Sequence, residues 1–139
     1  MSASTEDFIK VNFNLPCHTA ELSKAEGCID KIKCKFETFQ KFQNLTDKSH
    51  TSLYEEIVRV LDYVGNLSVP AFKIEEELEA MYVMQFKHAP AMGKKLWLDH
   101  YDYIHRPYTL LKNRCYRLLE DLDNEFISLY DKKPPNWNI

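Results

Sequence analysis

The sequence predicts an all-α fold: an antiparallel bundle of four to five helices with heptad-type seams, an extended N-terminal arm and an extended C-terminal tail. Three observations lead there. An apolar stripe of Trp97, Tyr101, Ile104, Tyr108, Leu111, Cys115, Leu118 and Leu122 steps by four and three without a break, the spacing of a helix face that meets another helix. Two earlier stretches, Leu22 to Phe39 and Leu53 to Leu67, repeat the helical period. Only three glycines occur in 139 residues, which leaves little for β-hairpin turns and nothing for a Gly-rich phosphate loop.

The chain reads as a single domain, with residues 1–17 as the arm, 18–131 as the bundle and 132–139 as the tail. In the arm Ile9, Val11, Phe13 and Leu15 alternate with Lys10, Asn12 and Asn14, the period of a half-buried strand, and Pro16 ends it. A lone strand either pairs with an edge on another protein or lies over the chain's own helices, because unpaired backbone is costly to bury. Thr19 can cap a first helix to about Leu45, with Leu22, Ala25, Ile29, Ile32, Phe36 and Phe39 on its face. Gly27 costs that helix about 1 kcal/mol relative to alanine.

Asn44 to Thr51 is polar and turn-like, and Ser52 with Glu55 has the spacing of a capping box. Leu53, Ile57, Val60, Val64 and Leu67 make the second face, which Gly65-Asn66 can end. Ser68-Val69-Pro70 opens a third helix to roughly His88, with Ile74, Leu78 and Met81 inward. Glu75, Glu76, Glu77 and Glu79 read as first-turn acids suited to the helix dipole. His88 to Gly93 is a connector.

The last helical segment runs from Lys94 to Asp131 with Pro107 inside its stripe. Proline in a helix interior costs about 3 kcal/mol, yet the phase continues across it. One kinked helix or two are both open. Unbroken, the segment is about 57 Å long, against a radius of gyration of about 14 Å for a compact domain of this size. Beyond it, Pro134-Pro135 forces an extended tail ending in Trp137 and Ile139, and a tryptophan there is expected to dock on the bundle or a partner.

Composition narrows the function. A net charge of −3 argues against nucleic acid and against a membrane surface. No basic start precedes an apolar run and no apolar stretch reaches 18 residues, so neither a signal peptide nor a membrane span is expected. Cys17, Cys28, Cys34 and Cys115 form no CxxC and are expected to be reduced, in a cytoplasmic or nuclear protein. Their even number, with sequons at Asn44 and Asn66, supports a second reading as a secreted four-helix cytokine-like ligand.

No chemical constellation is complete. Asp99-His100-Tyr101-Asp102-Tyr103-Ile104-His105 crowds histidine with carboxylate, but a di-iron bundle needs a second such pair and zinc needs three or four ligands. These residues are expected to be solvated, with no metal, cofactor, small-molecule substrate or catalytic residue. Lys87 to Arg117 holds seven basic residues against two acids, and Leu118 to Asp131 holds five acids and no base. With Tyr101, Tyr103, Tyr108 and Tyr116 interleaved, the basic part has the look of a nucleic-acid surface, the third reading. Complementary halves suit helix pairing better. The chain is therefore expected to be a non-enzymatic subunit or adaptor that packs against a protein partner, in a hetero-complex or a homodimer. Candidate anchors are Phe36, Phe39, Trp97, Tyr101 and Tyr108, with Ile9, Val11 and Phe13 in the arm and Trp137 in the tail.

Overall fold

A computed structural model describes residues 18–135, all of whose regular structure is helical. The strand-like arm and the Trp137 tail lie outside the described residues. Four helices follow one another: α1 (Thr19–Phe42), α2 (Asp47–Leu67), α3 (Val69–Gln85) and α4 (Pro90–Tyr130). The chain divides into two compact units. One takes His18 and Asn66–Thr109, the other Thr19–Gly65 and residues 110–135.

In the larger unit, α1 buries Ala25, Ile29, Ile32 and Phe36, as its period requires, and carries Glu21 in its first turn and Lys41 in its last, each matched to the dipole. It stops three residues earlier than the stripe suggests. Gln43 takes a left-handed φ of 52°, its N–H bonds the Gln40 carbonyl at 3.3 Å, and the Asn44 N–H reaches back to Phe39 at 3.2 Å. Those two bonds are a Schellman stop, which satisfies the last carbonyls and turns the chain.

The start of α2 corrects the expected capping box. Thr46 and Ser49 take that role: the Ser49 N–H donates to Thr46 Oγ1 at 3.2 Å, and the Thr46 N–H donates to Ser49 Oγ at 2.8 Å. With these amides satisfied one and a half turns upstream of Ser52, Asp47 to Thr51 becomes helix instead of turn. His50, Leu53, Ile57 and Val64 then point inward. From α4 the same unit buries Leu111, Cys115, Leu118, Leu122 and Phe126, and Pro134 of the tail is fully buried. Ion pairs on the rim join α1 to α2 through Lys35 and Glu56 at 2.8 Å, and α1 to α4 through Asp30 and Arg114 at 2.7 Å.

The smaller unit is built on α3 and the first half of α4. Pro70 occupies the opening turn of α3, and the Ala71 amide bonds the Ser68 carbonyl at 3.0 Å. Because the helix begins at Val69, its first turn contains no acid, so the glutamates from Glu75 onward lie beyond the reach of the dipole. Ala71, Ile74, Leu78 and Tyr82 are buried. The connector is also shorter than expected. Pro90 is the first residue of α4, where its missing N–H costs nothing, so only 86–89 link the helices. Pro107 lies within α4 without ending it. The phase of the stripe is kept, with Ile104 and Tyr108 buried on either side of the proline.

Candidate functional site

Side-chain chemistry concentrates in the smaller unit. Tyr82 on α3 shares a 2.6 Å hydrogen bond with His100 Nδ1 on α4, the two rings stacked at 5.5 Å. One turn further along α4, His105 Nε2 lies 3.2 Å from Glu75, and its ring sits 4.7 Å from Phe72 and 4.4 Å from Tyr101. Pairs thus run down α3 as they run up α4. His18, just before α1, closes the row with a 2.9 Å bond between its Nδ1 and the Tyr108 hydroxyl.

The expectation that His100 and His105 are solvated is corrected, since both are buried. Each imidazole has a polar partner on its packed face, which offsets the loss of water. Asp102 and His105 also part company: Asp102 pairs outward with Arg106, while His105 turns inward to Glu75. Burial lowers the His100 pKa, opposed by a backbone bond at Leu96 and the Asp99 charge, and burial raises that of Tyr82. The pair is therefore neutral at pH 7. Its hydrogen bond positions two helices.

Beyond this row, where α3 ends and α4 begins, a cavity of about 500 Å³ opens. Tyr82, Val83, Phe86 and Trp97 wall it, and Glu79, Lys87 and Lys94 add charge. Gly93 lets the helices close here, because a Cβ at that position would lie 2.9 Å from Phe86 Cβ. The Trp97 indole N–H is buried with no acceptor among the described residues. Val83, at the cavity, is exposed by 67%, and Met84 and Met92, at the adjoining ends of α3 and α4, by 78% and 58%.

Of the residues singled out in the sequence, the structure brings Trp97, Tyr101 and Tyr108 onto one helix face, the first two half-buried with rings 5.3 Å apart. Tyr108 is 5% exposed and Phe36, in the other unit, also 5%, so both belong to the interior and offer no surface to a partner. Phe39 is half-buried on α1. Ile9, Val11, Phe13 and Trp137 lie outside the described residues. The sequence reading missed Tyr82, Glu75 and the buried histidines. For Tyr82 a signal existed: it extends the steps from Ala71 through Ile74 and Leu78.

The larger unit has its own buried histidine. His50 Nε2 lies 2.8 Å from Asp123, and its ring packs 5.2 Å from Phe126, while Nδ1 has no partner among the described residues. Burial pushes the Cys115 thiol up to about 11, so it stays protonated and unreactive at neutral pH. Cys28, Cys34 and Cys115 carry free thiols. Among the described residues no group of three or more histidine, cysteine or acidic side chains could hold a metal ion. No helix is long and apolar enough to cross a membrane. Compared with known proteins, the chain matches no family model, no curated relative and no solved structure.

Proposed function

We propose that the chain is a non-enzymatic interaction subunit, an antiparallel helical bundle that docks on a partner protein through the tip of the α3–α4 hairpin. The observation that carries this reading is the apolar tip, where Val83, Met84 and Met92 stand more than half exposed. Single exposed apolar residues are ordinary, but the last turns of α3 and the first turn of α4 expose three, Val83 at the cavity and two methionines on other faces of the tip, apolar surface that a partner wrapping the tip would cover. Methionine suits such a surface because its flexible, polarisable side chain fits an irregular partner. Lys87, Lys94 and Glu79 at the cavity, with exposed Lys95 and neighbouring acids on α3, supply charges that fix orientation.

In this reading the heptad-type stripe from Ile104 to Leu122 is an internal seam, and the partner surface lies ahead of it, around Trp97. The protonated Cys115 thiol and the neutral Tyr82–His100 pair support a structural role over a catalytic one. Free thiols favour a reducing compartment, cytosol or nucleus, over the secreted reading.

The test is site-directed photo-crosslinking in cells, with the crosslinker at Met84 and, as control, at exposed Glu120 in the larger unit. A discrete adduct is expected at Met84 alone, whether with a second copy or with another protein. Val83→Glu with Met92→Glu should abolish it without moving the melting temperature. No adduct at Met84, or the same adduct at both positions, would remove the tip as the docking surface.

A further inference from the structure

We infer that the cavity at the α3–α4 tip is a binding site for an amphipathic carboxylate: an aliphatic or aromatic body carrying one acid group. This shares Val83 and the flanking charges with the exposed tip, is carried by the cavity between the helices, and goes beyond the docking role.

The space sets the body of the ligand. At about 500 Å³ the cavity falls within the range of about 300–1,000 Å³ typical of small-molecule sites. Its walls are Tyr82, Val83, Phe86 and Trp97, aromatic and aliphatic surface whose contact with water a chain of methylenes or a ring system would end. Gly93 makes the enclosure possible, since the two helices approach there closer than any other residue permits.

The polar groups set the head. Lys87 and Lys94 both line the cavity, and among the described residues neither they nor Glu79 forms an ion pair, which leaves the lining with an excess of one positive charge. The positive end of α4 begins at Pro90 in the same wall, and its first turn carries no acidic side chain to complement it. Trp97 lines the space with its ring alone, its indole N–H being buried out of contact with it. Two ammonium groups and a helix N-terminus both ask for an anionic acceptor. A cation would meet only Glu79, and an inorganic anion would leave the aromatic walls bare.

Dodecanoate below its micellar concentration is a direct probe, added to the full chain carrying Trp137→Phe so that Trp97 is the only tryptophan. The expected result is a saturable change in Trp97 emission. Dodecanol should bind at least about tenfold more weakly. Lys87→Gln with Lys94→Gln should weaken dodecanoate by a similar factor. Both lysines are exposed, and an unchanged melting curve would verify that the variant is folded. An emission change that rises without saturating, dodecanol binding as tightly as dodecanoate, or an unaffected glutamine variant would each overturn the assignment. Crosslinking at Met84 reads the docking role without added ligand, so either reading can fail while the other stands.

Discussion

One substitution, glycine to alanine, should have opposite signs at two positions in this chain. In a helix interior alanine is favoured over glycine by roughly 1 kcal/mol, because the unfolded chain has less freedom to lose. At Gly27, in the middle of α1, an added Cβ meets nothing within 4 Å, so the whole gain should appear as stability. At Gly93 the same Cβ would lie 2.9 Å from Phe86 Cβ, 3.4 Å from Phe86 Cγ and 3.3 Å from the Tyr82 carbonyl oxygen. Phe86 Cβ and the Tyr82 carbonyl cannot rotate away; the last turn of α3 has to move. Overpacking of that kind costs about 1–3 kcal/mol, and subtracting the intrinsic gain leaves a net loss of up to about 2 kcal/mol. Urea unfolding followed by circular dichroism reads the sign. Hydrogen exchange of the α3 amides localises the loss, which matters because two units need not unfold as one. If Gly93→Ala stabilises as Gly27→Ala does, the close approach of α3 and α4 is wrong, and the cavity built on it goes too.

Two further outcomes follow from the buried histidines. Asp123→Ala strands His50 Nε2 in the interior and should cost about 1–3 kcal/mol, whereas Asp123→Asn, which keeps an acceptor, should cost clearly less; equal losses would mean that the 2.8 Å contact is incidental. For His100 the folded pKa is lowered, so below the unfolded value of about 6.5 the unfolded chain takes up a proton that the folded chain refuses. Stability should therefore fall as the pH drops from 7.5 to 5.5, and His100→Gln should flatten that slope in a thermal melt; an unchanged slope would assign the loss to other groups.

Periodicity made most of the interior legible. Ala25, Ile29, Ile32 and Phe36, then Leu53, Ile57 and Val64, then Ile104 through Leu122 are buried at the steps their spacing demands, because a helix turns its face at a fixed rate whatever it packs against. His50, His100 and His105 escaped that logic. Their residue type reads as solvated, and the partners that make burial tolerable, Asp123, Tyr82 and Glu75, are 73, 18 and 30 residues away in sequence. Helix starts failed for a different reason. Thr46-x-x-Ser49 and Ser52-x-x-Glu55 are both fair capping pairs, and Pro90 reads equally well as a breaker or as a first helical residue. In each case the choice rested on which helix packs where. The cavity was invisible in sequence, because it depends on the missing side chain of Gly93 and on the ends of two helices meeting.

The larger unit is interrupted in sequence: its first stretch, carrying α1 and most of α2, ends at Gly65, and it resumes only at Leu110, within α4. During synthesis the apolar faces of α1 and α2, with Leu53, Ile57 and Phe36 on them, leave the ribosome while the segment that covers them has still to be translated. At about 5–20 residues per second that interval lasts several seconds, long compared with helix formation and collapse. The α3–α4 hairpin, whose contacts are local, can form within the same interval. A nascent chain whose residues up to about 110 have emerged from the ribosome should thus present a finished hairpin and an open two-helix surface, a natural substrate for chaperones. Slow codons placed after the hairpin would prolong that exposure, and a pause before Asn66 would not, because the hairpin has yet to be made.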